Sequence, residues 1–435
     1  MKNNKFIKST LILIIGTFIT RAMGFIIRIL YTRVIGTEGI SLYTLIMPTY
    51  SLIVTIAGFA MPITISKMVS KGNIRSKKIM SQSIYILLFI NIITMLLIIL
   101  FSDFIATTLL HESRVKILLI GATLSMPNMA LACILKGYFF GKQRMLPNTI
   151  SNVIEQSIRI IFIIFLLPYF VEKSVILGIL SFLLINILTE GASILIFLFL
   201  LPKNVRLTLN DIKFDKLLAN NIFNDSIPLV SGKLIGSFGF FLEPIILSNV
   251  LLFVGYDSSF FLKEYGIFNG YSISLLMMPS FVITSLATAI IPEISKYYNQ
   301  KNIKMVNKRI KECLLITLIF GIIFTIIIFM NRTYLLNLIY KTNDGANYIA
   351  ALSIFFILYY LEAPISAILQ ALNYSKYTMK TTTIGVFIKL LLMFILSFLH
   401  IGLYSLVIAE AINIFYVVYK NYNKLKRIIR KYNYS

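Results

Sequence analysis

Tryptophan is absent from the 435 residues, and cysteine and histidine occur only twice each. Cys133 and Cys313 lie far apart in sequence, in or near long apolar runs, so they are expected to remain thiols. His111 and His400 fit no metal-ligand spacing, and no zinc pattern is present. Charge is scarce: 13% of residues are charged, where soluble globular proteins carry roughly 25%. Acids are scarcest, with 17 Asp and Glu against 41 Lys and Arg. No Walker motif and no nucleotide-binding glycine loop occurs, so no cofactor is expected. No loop opposite the basic side is long enough for a catalytic domain, which argues against an enzyme.

What is there is hydrophobicity. Apolar side chains make up 58% of the chain, in runs of about twenty residues that recur from end to end. The fold class expected is an all-α polytopic membrane protein. Twelve spans are counted, near 10–31, 40–66, 79–101, 117–140, 147–170, 175–201, 222–253, 266–292, 312–331, 347–372, 381–399 and 402–419. The N-terminus, MKNNKFIKSTLILIIGTF, mimics a signal peptide, but its apolar run continues past Arg21 to Leu30 without a small-residue cleavage site. It is therefore expected to stay as the first helix. With no Trp, the 24 Tyr must supply the interfacial aromatic belt.

The net charge of +24 could suggest a nucleic-acid partner. The distribution does not. Along the expected topology 29 Lys and Arg fall on one side and 7 on the other, with 5 inside spans. By the positive-inside rule both termini are cytoplasmic and the span count is even. No nucleic-acid partner is expected. The longest polar connection, PKNVRLTLNDIKFDKLLANN at 202–221, reads as a cytoplasmic linker between two six-helix lobes, 1–201 and 222–435, the second ending in a basic tail.

The lobes repeat. GISLYTLIMPTYSLIVTIAGFAMPITISK (39–67) matches GYSISLLMMPSFVITSLATAIIPEISK (270–296) with a two-residue gap, and CILKGYFFGKQRMLPNTI (133–150) matches AILQALNYSKYTMKTTTI (367–384) without one. Both lobes enter from the same side, so the repeat is parallel, with a site expected where the halves meet.

Several charges sit where hydrocarbon should be. Arg21, Gly24 and Arg28 are spaced i, i+3, i+7, one stripe on a helix. Asn148, Asn152, Glu155 and Arg159 share a face of the fifth span, with Glu155 and Arg159 in the favourable i,i+4 order. Thr382, Gly385 and Lys389 form a stripe in the eleventh span, and the repeat places Lys389 opposite Glu155. Glu243, in a span that also holds Lys233, takes the place of Arg28. Asn128 corresponds to Glu362, and Asn186 to Glu410. Ionisable residues inside a membrane usually face the bundle interior or a wet cavity, and a polar cavity lined by both halves is expected. A second reading stands for each. Arg21 and Arg28 could snorkel to opposite surfaces, Glu155–Arg159 could be a structural pair, and Lys233 could sit at the cytoplasmic interface. Glu243, Glu362 and Glu410 could be protonated core residues. Pro48, Pro62, Pro127, Pro279, Pro292 and Pro364 could be ordinary kinks; a hinge role for Pro48 and Pro279 rests on their repeat.

The segments TRAMGFIIRILYTRVIGTEGISLYTLIMP, ITISKMVSKGN and LKGYFFGKQRMLPNTISNVIEQSIRI resemble the family of stage V sporulation B proteins and polysaccharide exporters. That family lies in the MATE-like superfamily with lipid II flippases, O-antigen flippases and multidrug exporters. The resemblance implies two six-helix lobes in a V and alternating access across the cytoplasmic membrane. Its implied substrate is a lipid-linked oligosaccharide, an undecaprenyl-pyrophosphate-linked sugar of the peptidoglycan or spore-cortex class, with membrane lipids and cell-wall synthesis enzymes as partners. The paired arginines of lipid II flippases, thought to hold pyrophosphate, match Arg21 and Arg28. Lipid II flippases have fourteen helices, the last two forming a groove for the lipid tail; twelve are counted here.

A flippase must move an anionic head group past hydrocarbon, and burying a diphosphate without partners is prohibitive. Arginine offers bidentate, permanently charged donors for it. Arg21, Gly24, Arg28, Asn152, Glu155, Arg159, Lys233 and Lys389 are the expected cavity residues, and Glu243, Glu362 and Glu410, with Glu155, the expected ion-coupling acids. A MATE-like ion-coupled exporter of small organic molecules would prefer an acid-dominated cavity. A membrane glycosyltransferase would need a catalytic acid at one face.

Overall fold

The computed structural model describes residues 2–205 and 213–433, with side chains from 15 to 430 apart from 204, 288, 289, 292 and 299. The linker positions 206–212, Arg206 among them, lie outside the described residues, as do the side chains of Lys2, Lys5, Lys8, Pro292 and Lys431. Among the described residues helix is the only regular structure, with no strand. In order the helices are α1 (Lys2–Gly58), α2 (Met61–Lys71), α3 (Ser76–Asp103), α4 (Val115–Thr123), α5 (Met126–Gly141), α6 (Leu146–Phe165), α7 (Leu167–Lys173), α8 (Val175–Leu200), α9 (Lys216–Phe253), α10 (Ser258–Gly266), α11 (Ile273–Met277), α12 (Ser280–Asn299), α13 (Ile303–Met330), α14 (Arg332–Tyr340), α15 (Ala346–Ala371), α16 (Ser375–Ser397) and α17 (Tyr404–Asn433).

Among the described residues eight helices are long and apolar enough to cross a membrane, or ten if each bent pair is one span. The difference from twelve has visible causes. The first two expected spans are both present within α1: its two helical segments meet at a kink at Gly36, φ 69° and ψ −173°, so they count as one helix. Glycine adopts that positive φ without a Cβ clash. The twelfth expected span is α17, whose Glu410, Asn413 and Lys420 dilute its apolar run. Bends of 47° and 54° divide α6 from α7 and Ser258–Met277 from α12.

The chain forms two compact units, Met1–Phe241 and Leu242–Ser435, whose division falls inside α9. In the first, α1 packs on α6, α2 on α5, and α8 on α5, α6 and α7. The break before α2 falls at Phe59 and Ala60, both at positive φ, and Pro62 follows in the first turn of α2, where its missing N–H costs no helix bond. Met61, Ile65 and Val69 of α2 join Ile134, Tyr138 and Phe139 of α5 in one buried cluster. The approach is close because Gly137 and Gly141 of α5 face α2. A Cβ on Gly141 would lie 2.7 Å from Val69 Cβ and 2.9 Å from the Ser66 carbonyl. This is the small-x-x-x-small device by which membrane helices pack backbone to backbone. On α3, Gln82 donates to the Lys213 carbonyl at 2.7 Å and accepts from the Asp215 amide at 2.9 Å, so the end of the linker is pinned to the first unit.

The second unit is organised around α15, which packs on α12, α13 and α17, while α16 pairs with α17. Pro279 interrupts the helix at the 54° bend. A carbonyl exposed by the break, that of Leu276, accepts the Tyr360 hydroxyl at 2.6 Å. A side chain from a neighbouring helix thus satisfies backbone that the bilayer could not.

Overpacking a tight helix contact costs about 1–3 kcal/mol, whereas Gly→Ala in open helix gains up to about 1 kcal/mol. Gly141→Val is therefore expected to lower the thermal unfolding midpoint in detergent. Gly191→Ala in α8, where nothing lies within 4 Å of the new Cβ, is expected to hold or raise it.

Candidate functional site

In the first unit the stripe on α1 can be placed by its neighbours. Ile27, Tyr31 and Ile35 are buried, and Ile15, Ile19 and Ile26 are exposed apolar residues of the kind that face lipid. At 100° per residue, Arg21 and Arg28 fall about 60–80° from the buried line and about 140–160° from the exposed apolar line. Both arginines are solvent-accessible and lie on the far side of the exposed face from Ile15, Ile19 and Ile26, with exposed Phe18 between. Gly24 lies between them, and nothing is within 4 Å of where its Cβ would be. Arg28 lies within electrostatic reach of Tyr43 in the second half of α1. Tyr43 in turn packs on Tyr31, with ring centroids 4.6 Å apart, and Tyr31 stacks on Phe182 at 4.0 Å.

Tyr43 also lies within reach of Arg159, which joins the stripe to α6. Arg159 Nη2 donates to Glu155 Oε1 at 2.7 Å and to Asn186 Oδ1 of α8 at 2.8 Å. Glu155 is buried, so the guanidinium, which Asn186 also holds, neutralises a charge that would otherwise be stranded. Asn152 is half-buried on the same helix. Tyr50 lies within reach of Arg159, Glu155 and Glu190. Glu190 of α8 is buried, with Oε2 lacking a hydrogen-bond partner, and it feels Lys136, Glu155 and Arg159. Lys233 is exposed on α9, within reach of Cys133, which also feels Lys136 and Glu190.

In the second unit Lys389 of α16 is held between two carboxylates. Its Nζ lies 2.6 Å from Glu243 Oε2 of α9 and 2.6 Å from Glu410 Oε2 of α17. The Tyr265 hydroxyl donates to Glu243 Oε1 at 3.2 Å. One turn before Lys389, Gly385 brings α16 against α17: a Cβ there would lie 2.5 Å from Asn413 Oδ1 and 2.6 Å from Val417 Cγ2. Glu362 of α15 is half-buried and feels the charge of Glu410, and Tyr359 feels both acids.

Two pairs of corresponding positions are joined by contacts inside their own units. Positions 155 and 186 are joined through Arg159, and positions 389 and 410 directly. Pro48 lies within α1 with helical backbone around it, whereas Pro279 stands at the 54° bend. Tyr43, Tyr50, Lys136 and Glu190 are additional members of the polar cluster. Glu190 carried a readable signal, being the sole acid of its span and four residues beyond Asn186. Lys136 did not, because it counts equally well as a loop residue.

The description "polysaccharide biosynthesis protein" belongs to the family profile that matches residues 6–298, and the MatE profile matches residues 237–395. Stage V sporulation protein B of Bacillus subtilis (strain 168) is 33% identical over 411 residues, 91% of this chain and 79% of that protein. Lipid II flippase MurJ of the same organism is 25% identical over 428 residues, 90% of this chain and 77% of that protein. Among solved structures, a multidrug resistance MATE family transporter of the MOP superfamily matches with a TM-score of 0.78 at 13% identity, covering 96% of each chain. A MOP superfamily transporter from Pyrococcus furiosus matches at 0.62 and 15% identity, covering 98% of this chain and 96% of that one. The chain shares their fold and is a multi-pass membrane protein.

Removing one partner of a buried ion pair costs about 3–5 kcal/mol, while replacing both by apolar groups is often neutral. Arg159→Ala is thus expected to lower the unfolding midpoint sharply. A Glu155→Gln/Arg159→Met double variant should recover most of the loss in the same melting assay.

Proposed function

The chain belongs to the polysaccharide biosynthesis protein family, and from that membership we propose that it is a flippase moving a polyprenyl-pyrophosphate-linked sugar across the cytoplasmic membrane by alternating access. The observation that carries this reading is the α1 stripe. Two arginines are exposed on one side of a membrane helix, away from its lipid-type line, with open space at Gly24 between them. Their Cα atoms lie about 10 Å apart along the axis, and their long side chains can converge on a diphosphate of intermediate length. Guanidinium groups grip phosphate oxygens bidentately and never deprotonate. The prenyl tail remains in lipid, so only the head group needs this polar path. Arg28 and Arg159 both lie within electrostatic reach of Tyr43, with Asn152, the Glu155–Arg159 pair and Lys233 as further polar lining for the sugar.

The family relatives named for sporulation and for lipid II support a peptidoglycan or spore-cortex precursor as the substrate class. Enzymes that assemble and polymerise such precursors are the partners such a carrier requires. The distribution of Lys and Arg supports cytoplasmic termini. An ion gradient or the membrane potential supplies the drive, the latter at about 2.3 kcal/mol per charge per 100 mV. Glu243, Glu362 and Glu410 are the acids proposed for ion coupling, and Pro279, at its bend, is the hinge favoured over Pro48.

A second reading, an ion-coupled exporter of small organic molecules, is favoured by the MatE match over 237–395 and by the acids of the second unit. The arginines of the first unit oppose cationic cargo.

Reconstitution into liposomes with a fluorescent polyprenyl-pyrophosphate sugar tests the proposal. Transport is expected in the wild type and a loss of at least about tenfold in Arg21→Ala/Arg28→Ala, equivalent to about 1.4 kcal/mol or more. Gly24→Leu, which fills the open space, should slow transport without lowering the unfolding midpoint. A wild type that moves no substrate, or a double variant with full activity, overturns it.

A further inference from the structure

We propose that Lys389 is a built-in cation: its ammonium occupies the position between Glu243 and Glu410 that a coupling metal ion would need, leaving protons as the ions this cluster can exchange. The inference rests on the reading of the chain as an alternating-access carrier. Its first support is geometric. One ammonium lies 2.6 Å from a carboxylate oxygen of α9 and 2.6 Å from one of α17, while both Glu243 and the Tyr265 hydroxyl bonded to it are buried. A metal ion entering between these carboxylates would stand against a fixed positive charge and displace it. Among the described residues no group of three or more His, Cys, Asp or Glu side chains converges as metal ligands do.

The second support is charge balance. One ammonium offsets one of the two carboxylates, and the cluster retains one negative charge. Groups reach it from five elements: Glu243 from α9, Tyr265 from α10, Tyr359 and Glu362 from α15, Lys389 from α16, and Glu410 and Asn413 from α17. Lys389 is the sole cation in that set, and Glu362 adds a further acid within electrostatic reach of Glu410. Unbalanced charge in so buried a place is met either by a mobile cation or by a proton on a carboxylate. With the cation's position filled by a tethered ammonium, protonation is the route that remains. The matching place in the first unit holds Glu155, paired with a cation of its own helix, so the arrangement is particular to the second unit.

The test uses the purified full chain and needs no transport. Wild-type protein should bind no ²²Na⁺, and its unfolding midpoint should stay within about 1 °C when choline chloride is exchanged for NaCl, KCl or LiCl at constant ionic strength. Lys389→Ala vacates the position between two carboxylates; it should melt lower in choline and regain about 3 °C or more, saturably, on addition of Na⁺ or K⁺, as expected for a ligand that binds only the folded state. If that variant does not fold, the wild-type measurements decide. Saturable ²²Na⁺ binding by the wild type that is lost in Glu243→Gln or Glu410→Gln overturns the proposal. In liposomes a proton gradient should drive transport and a Na⁺ gradient should not; the reverse result also overturns it. Failure of any gradient to move the lipid-linked sugar would instead count against the flippase reading, while the binding results would stand.

Discussion

A charge in hydrocarbon must be matched, and the polar architecture follows from that. Buried Glu155 and Glu243 are each answered by a cation brought from a turn away or from a neighbouring helix. Glu155 is answered by Arg159, which Asn186 also holds, and Glu243 and Glu410 are answered together by Lys389. Such pairs are weak evidence of stability, because desolvation offsets most of their attraction. Their effect is on arrangement. α6 must present its polar face to α8, and α16 must lie close enough to α17 for a lysine to reach a glutamate, which Gly385 permits. Helix packing and charge placement are therefore one requirement. The arginines of the α1 stripe differ, since they are accessible and lie on the far side of the exposed face from Ile15, Ile19 and Ile26.

The two units use one scaffold with opposite electrostatics. At matching positions the first carries Arg28 and Glu155, and the second carries Glu243 and Lys389. Inverting two charges leaves the first unit with accessible cations on α1 and the second with an excess of acid around one ammonium. A repeated lobe can specialise in this way through a few side chains. On the proposed readings, an anion-binding face in one copy and a proton-exchanging cluster in the other would be complementary outcomes of that divergence.

Much of this was legible in the sequence because the bilayer imposes a strong code. Apolar runs announce helices, and a charge inside one announces a constraint. The i,i+4 spacing of Glu155 and Arg159 gave their pairing directly. The partners of Lys389 could not be read that way, since they come from helices whose separation in sequence carries no spacing information. The span count depended on where helices break. Gly36 kinks α1 between the first two expected spans, the next break falls at Phe59 and Ala60 rather than at Pro48, and Pro168 and Pro279 stand beside the 47° and 54° bends. Proline weakens a helix, but neighbouring groups decide whether it bends. At Pro279 Tyr360 stands ready to satisfy the Leu276 carbonyl.

On the proposed reading, the stripe also links binding to movement. A ligand shifts a conformational equilibrium only by its differential affinity for the two states. With no anion bound, two guanidiniums must keep their water, and any conformation that dehydrates them is costly. A bound diphosphate replaces that water with bidentate partners and removes much of the cost. The occupied carrier can then pass through a dehydrated state that the empty one resists. The cluster around Lys389 carries its own cation and needs no lipid head group for this purpose. Substrate and proton would thus lower the cost of dehydration at different places, so that one cycle can respond to both.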